Sequence, residues 1–206
     1  MKFEIKEETN FTYLIIDEMY DDDELKSIWE ELHYLTNPRR MKGPKDTGGA
    51  VTPDGKSEKE NFGIFLDPFF ITDRSASSIL ETNRKLFGDD IRKVWKDAHP
   101  YNILWGDINL DGTLLSYYEN THHYNLHHDG AAFTALTWLY KEPKRFEGGE
   151  FYFDGDIKVE LKNNRTILFP SWVRHRVTPV SMEGSDGYST YGRYSIAQFC
   201  HYARSN

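Results

Sequence analysis

Two adjacent histidines and an aspartate stand in YNLHHDGAAF, residues 124–133, ahead of a small apolar stretch. On an extended chain successive side chains alternate between faces, so two ligands of one metal belong at i and i+2. His127 and Asp129 satisfy that spacing, and His128 then turns away. A His-x-Asp pair alone also describes a surface histidine beside a solvated aspartate. In WVRHRVTPV, residues 172–180, Val173, His175 and Val177 share one face while Arg174 and Arg176 share the other. A histidine flanked by inward valines is either a hydrogen-bonded core residue or a ligand. With His127 and Asp129 it completes two imidazoles and one carboxylate, the facial set that leaves three positions of Fe(II) open for oxygen chemistry.

RYSIAQF, residues 193–199, places Arg193, Ser195, Ala197 and Phe199 on one face of a third strand. A guanidinium beside a hydroxyl suits a bidentate grip on a carboxylate in a partly apolar pocket. The ordinary alternative for an inward arginine is a structural ion pair, but this strand offers no acid.

These groups need a scaffold, and the chain outlines one. TYLIIDE (12–18) suits a strand, and DDDELKSIWEELHYL (21–35) repeats Leu25, Ile28, Trp29, Leu32 and Leu35 at helical spacing behind an acidic first turn. Residues 36–61 change to Gly, Pro, Asp, Lys and Ser, a long loop that is either a lid over a site or a solvent-side insertion. Residues 75–98 read as one or two helices with a break at Gly88. From Tyr101 onward come NILWGDINL, TLLSYYE, YNLHHD, FTALTWLY, GEFYFD, IKVELKN, RTILFP, VRHRVTPV and RYSIAQFCHY, separated by turn residues. Short runs at such spacing predict an antiparallel sandwich or barrel.

The totals set limits. A chain of 206 residues suits one well-packed core, and 15% aromatic content argues for a core or cleft built of rings. A formal charge of -8 argues against unspecific affinity for nucleic acid or anionic lipid. The single cysteine, Cys200, forms no internal disulfide, and no run is apolar enough for a membrane span or a signal peptide, so the expected location is cytoplasmic.

SYYENTHHYNLHHD (116–129), FEGGEFYF (146–153), TILFPSWVRHRVTPV (166–180) and GRYSI (192–196) together resemble the Fe(II)- and 2-oxoglutarate-dependent dioxygenases. The resemblance is strongest to the prolyl 4-hydroxylase-like branch that includes the oxygen-sensing prolyl hydroxylases, and it covers about residues 101–204. It implies a mainly β fold with supporting α elements: a double-stranded β-helix, or jelly roll, with N-terminal helices packed on its major sheet. Residues 1–206 would form one dioxygenase domain, with the N-terminal strand, helices and loop in 1–100 and the catalytic core in 101–204. By this resemblance His127, Asp129 and His175 are the iron ligands, Arg193 holds the distal carboxylate of 2-oxoglutarate, Tyr117 hydrogen-bonds that cosubstrate, and Ser195 completes an Arg-x-Ser pair. The implied activity is hydroxylation of a C-H bond with O2, releasing succinate and CO2, and ascorbate is the candidate reductant.

The chain departs from its relatives in two places. The stretch MEGSDGYSTY (182–191) between His175 and Arg193 is longer than their usual turn, and Trp138 stands before Leu139 where relatives have a tyrosine. Trp138 either donates its indole N-H to the cosubstrate or packs as wall. His33, His99, His122, His123 and His201 are expected in surface or core roles, and Gly148 and Gly149 in the turn into GEFYF. Asp129 stands where related halogenases have a small residue, which favours hydroxylation.

The resemblance points to a prolyl residue in a peptide or protein as substrate; charge and hydropathy argue against membrane and nucleic-acid partners, and a monomer is expected. Arg39, Arg40, Lys42 and Lys45 at the start of the loop suit an acidic target. A free amino acid or other small molecule is the alternative substrate. RYSIAQF lacks the asparagine, threonine and second arginine of the nucleic-acid demethylases. A reading of another class is a non-catalytic cupin-like module that binds a structural metal, for which a dicarboxylate anchor such as Arg193 serves no purpose.

Overall fold

In the computed structural model, which describes residues 1–184 and 187–203, the acidic first turn after Asp21 forms a complete capping box. Asp21 Oδ1 accepts from the Glu24 amide at 3.0 Å, and Glu24 Oε2 accepts from the Asp21 amide at 2.8 Å. The helix Asp22–Leu35 then buries Ile28, Leu32 and Leu35 along one stripe. Residues 185 and 186 of the 182–191 stretch, residue 204 at the end of the expected core, and residues 205 and 206 lie outside the described residues. The second helical region is broken as expected: Ser78–Thr82 and Asn83–Phe87 precede Gly88, which caps Asp89–Lys96.

Period-two alternation dominates the two large sheets. A seven-stranded sheet runs, edge to edge, Lys2–Glu7, Thr12–Asp17, Arg165–Pro170, Phe133–Leu139, Arg193–His201, Leu110–Tyr118 and Phe62–Phe65. A five-stranded sheet runs Ile157–Val159, Phe151–Phe153, His175–Val177, His123–His127 and Lys59–Glu60. Every pairing between neighbours is antiparallel. This is the jelly-roll arrangement, with helices on the outer face of the larger sheet.

The two faces of the larger sheet serve two separate cores. Leu14, Ile16, Leu115, Tyr117, Phe133, Leu139, Leu168, Tyr194 and Ile196 pack against the helices. Their neighbours in sequence, Tyr13, Ile15, Leu114, Tyr118, Trp138, Ile167, Phe169 and Ala197, face the smaller sheet. Each large apolar side chain buried this way contributes about 1.5–3 kcal/mol, so a register slip of one residue would expose both sets. That cost holds the alternation, and with it the direction of every site residue.

Three features differ from the sequence-based expectation. NILWGDINL is not a strand through its length: Pro100–Asp107 is a 3-10 turn, with Pro100 in the first turn, the His99 side chain accepting from the Tyr101 amide, and Trp105 stacked on Phe87. Within it Asn102 and Trp105 are buried while Ile103 and Leu104 stay exposed, which a periodicity of two does not anticipate. Lys2–Glu7 and Phe62–Phe65 are edge strands without strong apolar patterning. The loop 36–61 is partly structured, with a helical turn at Pro44–Thr47, a bridge between Val51 and Ser57, and the strand Lys59–Glu60.

Candidate active site

His127 is the last residue of its strand and lies directly opposite His175, so strand pairing alone brings the two imidazoles together. Val173 and Val177 are buried beside His175, while Arg174 and Arg176 reach outward to Asp154 and Asp156. Asp129 sits just beyond the strand end rather than on it. Its amide donates to the Ser171 carbonyl at 3.0 Å, and its Oδ2 accepts from Thr134 Oγ1 at 2.7 Å. The i, i+2 spacing therefore works, but the carboxylate is aimed by two hydrogen bonds and not by the pleat. His128 is exposed on the rim.

The three residues converge. His127 Nε2 lies 3.7 Å from Asp129 Oδ1, His175 Nε2 lies 3.6 Å from Asp129 Oδ2, and one donor atom from each falls within 4.8 Å of the others. Both histidines use their other nitrogen locally: Nδ1 pairs with the Asn125 carbonyl at 2.7 Å in His127 and with the Val173 carbonyl at 3.0 Å in His175. A carbonyl only accepts, so each Nδ1 carries the proton and each Nε2 offers a lone pair toward the common point. Burial, reinforced by the neighbouring His175, pushes His127 down to about 3, so it is neutral at physiological pH as a metal ligand must be. Its ring stacks on Tyr124 with centroids 3.4 Å apart.

A small cavity of about 50 Å³ lies between the sheets behind the triad. Tyr118, Ser116, Ser195 and Asn61 supply polar groups to its wall, and Leu114, Leu136, Ala197 and Phe199 supply apolar ones. Arg193 adjoins it with no solvent exposure, and its Nε and both Nη atoms make no hydrogen bond of good geometry, with the Tyr118 hydroxyl as their polar neighbour. Among the described residues no carboxylate pairs with it. Its guanidinium carbon lies 5.0 Å from the Tyr118 ring centroid and 5.8 Å from that of Trp138. Burial lowers Arg193 to about 10, and it stays charged. Gly149, at φ +64, permits this placement, because a Cβ there would stand 3.0 Å from Arg193 Cδ.

In front of the triad opens a cleft of about 670 Å³ that His127 and Asp129 share with the inner cavity. Residues 47–51 of the long loop line it, opposite Leu126, Gly130 and Phe199. None of Arg39, Arg40, Lys42 and Lys45 does. Arg40 instead covers the Tyr34 ring at 3.7 Å and donates to the Tyr34 carbonyl. The one basic side chain of 36–61 at the cleft, among the described residues, is Lys59, which burial lowers to about 8 while Asp129 works against the shift.

The structure moves one expected residue. Tyr117 faces the helices, not the cavity: its ring packs on Tyr194, its hydroxyl donates to Glu119 at 2.8 Å, and it accepts from the Gly192 amide at 3.1 Å. Tyr118 faces Arg193 instead, directly opposite it in the strand pairing. Two adjacent tyrosines carry no parity of their own, and only the inward direction of Leu114 and Ser116 picks the second. Arg193 and Ser195 share the inner face as expected, and the long 182–191 connection leaves that register intact. Trp138 is fully buried on the same face with its Nε1 unpartnered. Gly148 and Gly149 both take positive φ at the turn before Phe151–Phe153. His201 lies on the outer cleft, outside the triad. Lys59 escapes sequence reasoning because no periodic signal surrounds it.

The model of the 2OG-Fe(II) oxygenase superfamily matches residues 113–201. Among curated proteins no relative matches the chain. Among solved structures it is similar to a Pseudomonas putida prolyl-4-hydroxylase, at TM-score 0.62 and 14% identity over 93% of each chain. It is also similar to a collagen prolyl hydroxylase of Paramecium Bursaria Chlorella virus-1, at TM-score 0.52 and 15% identity over 91% of this chain and 94% of that one. A third, the non-heme alpha ketoglutarate dependent epimerase SnoN from nogalamycin biosynthesis, matches at TM-score 0.52 and 13% identity over 91% and 78%. At these identities the structures share a fold, and they span more than one reaction. The family match falls on the segment that carries both histidines, the aspartate and Arg193, so that segment is similar to the 2OG-Fe(II) oxygenase superfamily, and the chain as a whole has the fold of the prolyl 4-hydroxylases.

Proposed function

We propose that this oxygenase hydroxylates an unactivated C-H bond of a substrate held in the outer cleft, with His127, Asp129 and His175 as the ligands of Fe(II) and Arg193 as the anchor of the distal carboxylate of 2-oxoglutarate. The observation that carries the reading is the buried, unpaired guanidinium of Arg193 behind two imidazoles and a carboxylate. Burying a charge without a partner costs several kcal/mol, roughly, so the fold retains it for an anion that arrives later. The donor set fits as well, since two neutral imidazoles and one carboxylate facing one point match the preference of non-heme Fe(II).

When bound, iron and 2-oxoglutarate supply the electrons that activate O2, and the cosubstrate leaves as succinate and CO2. The protein's part is positional. The Asn125 and Val173 carbonyls hold the imidazole tautomers, and Thr134 and Ser171 hold Asp129. Arg193 sets the depth of the dicarboxylate, and the apolar wall of Leu114, Leu136 and Phe199 keeps water from the reacting centre.

For the substrate we propose a prolyl residue of a peptide or protein, supported by the fold shared with two prolyl hydroxylases and by an outer cleft of about 670 Å³. Ascorbate as reductant and a cytoplasmic location belong to the same proposal. Among the described residues no helix is long and apolar enough to cross a membrane. A small-molecule substrate is the second reading, favoured by the cation at Lys59.

The test is anaerobic addition of Fe(II) and 2-oxoglutarate to the purified protein, followed by the visible metal-to-ligand charge-transfer band. The band appears in wild type and is absent in His175→Ala. A folded, metal-loaded wild type without the band would overturn the oxygenase site and return it to a structural metal module.

A further inference from the structure

Lys59 is a second buried cation at this site, and neither the metal nor the cosubstrate accounts for it. Its strand pairs with His123–His127, with Lys59 opposite Tyr124, and the side chain lines both the outer cleft and the inner cavity beside His127 and Asp129. Only 4% of the residue is exposed. Its Nζ makes a single contact, to the Thr47 carbonyl at 3.5 Å, the outer limit of a hydrogen bond, and lies 5.7 Å from the centroid of the Tyr124 ring. An ammonium has three donors, and among the described residues no carboxylate pairs with this one.

The surroundings hold the side chain in place. Gly49 runs across it so closely that a Cβ there would stand 3.0 Å from Lys59 Cε and 2.9 Å from Tyr124 Oη. The Ala50 amide donates to that same tyrosine oxygen at 2.9 Å, tying the loop over the lysine. The charge count points the same way. Fe(II) and the 2-oxoglutarate dianion cancel, as do Asp129 and Arg193; at the rim Glu58 is held by Asn125 and Arg174 is paired with Asp154, so among the groups at the inner wall the Lys59 ammonium is left over. A group with one negative charge, entering from the cleft, completes the balance.

We propose that Lys59 anchors a carboxylate of the substrate, so that the molecule hydroxylated is a carboxylic acid of amino-acid type, either a free amino acid or the C-terminal residue of a peptide. The proposal rests on the oxygenase reading of the site. It narrows the substrate: a prolyl residue in the interior of a chain has no carboxylate to offer.

The experiment uses the Fe(II) and 2-oxoglutarate complex of the full chain under anaerobic conditions, because binding of a substrate beside the iron shifts the charge-transfer band without turnover. The probes are the common free amino and imino acids, the same compounds as amides, short peptides ending in a free carboxylate, and peptides with internal proline. The expected result is that at least one carboxylate shifts the band and its amide binds about tenfold or more weakly. Lys59→Met removes that preference while the band and the 2-oxoglutarate affinity persist, and Lys59→Arg restores part of it. The free-acid and C-terminal-peptide arms separate the two sources of the carboxylate. The proposal is overturned if no carboxylate probe shifts the band, if amides or internal-proline peptides bind as well as acids, or if Lys59→Met weakens 2-oxoglutarate instead, which would make Lys59 a cosubstrate residue. Absence of the band in wild type is a different failure, of the oxygenase site itself.

Discussion

Arg165 and Arg193 are both buried arginines in the larger sheet, two strands apart, and they meet opposite fates. Arg165 Nε donates to Asp17 Oδ1 at 2.6 Å and its Nη2 to Asp17 Oδ2 at 3.1 Å, a bidentate pair, while Nη1 reaches both the carbonyl and the carboxylate of Glu160 at 3.1 Å. Among the described residues no carboxylate pairs with the Arg193 guanidinium, whose polar neighbour is the Tyr118 hydroxyl. The first is a clasp between the strands Thr12–Asp17 and Arg165–Pro170, complete within the chain. On the proposed function, the second is half of an interaction completed by the distal carboxylate of 2-oxoglutarate. Burial, which the two share, does not separate a structural charge from a functional one; satisfaction does.

The largest effect should come from breaking the unsatisfied side. Arg193→Met removes the anchor and is expected to weaken 2-oxoglutarate binding by about 10² to 10³-fold, the loss typical of truncating one partner of a buried charge pair. Because the apo protein loses an unpaired charge, its melting temperature should hold or rise. Titration of the charge-transfer band together with a thermal melt checks both, and a protein that loses stability but keeps cosubstrate affinity would make Arg193 structural after all.

Asp17→Asn breaks the satisfied side. A charge-assisted hydrogen bond is worth about 1.5–3 kcal/mol, so the melting temperature should fall by roughly 3–12 °C with the 2-oxoglutarate affinity unchanged. The pH dependence comes from the guanidinium of Arg165, which with Lys162 holds the Asp17 carboxyl down at about 2 against an ordinary 3.8. A carboxylate lowered on folding stabilises the native state above its ordinary value, and that contribution fades as pH falls from 3.8 through about 2. Wild type should therefore lose its advantage over Asp17→Asn between those limits, measured as urea midpoints at pH 6 and in the acid limb.

The adjacent tyrosines sharpen the comparison with the smallest change. Tyr118→Phe removes a hydroxyl beside Arg193 and is expected to cost about 1 kcal/mol, a few-fold, in 2-oxoglutarate affinity. Tyr117→Phe should leave that affinity alone and lower stability, since its hydroxyl serves Glu119, Ser189 and the Gly192 amide. Equal effects of the two on cosubstrate binding would contradict the placement of Tyr117 in the helix-side core.

Much of this site was legible without coordinates. The period of two along 173–177 and 193–199 identified the inward faces correctly, because each alternate position is buried between sheets or against helices and a slip is expensive. His127 and Asp129 were legible by spacing, and the capped helix Asp22–Leu35 by its stripe of Ile28, Leu32 and Leu35. The apolar run at 102–105 misled, since a 3-10 turn that buries Trp105 and leaves Ile103 and Leu104 exposed has the same composition as a strand.

The amino-acid sequence by itself determined the chemical kinds present: two imidazoles and a carboxylate at ligand spacing, a guanidinium and a hydroxyl on one strand face, and an antiparallel β architecture to carry them. Local spacing suffices for the histidines because residues within a strand are held by its geometry, whereas Asp129, just past the strand end, is aimed by the Ser171 carbonyl and the Thr134 hydroxyl. Tertiary structure decided which tyrosine of the pair meets Arg193, that Arg193 has no acid while Arg165 has two, and that Lys59 from a loop without periodicity enters the site. Those facts depend on which strands become neighbours and which loop closes over them, and chain separation hides both: Lys59 and His175 are remote in sequence and share one cavity wall.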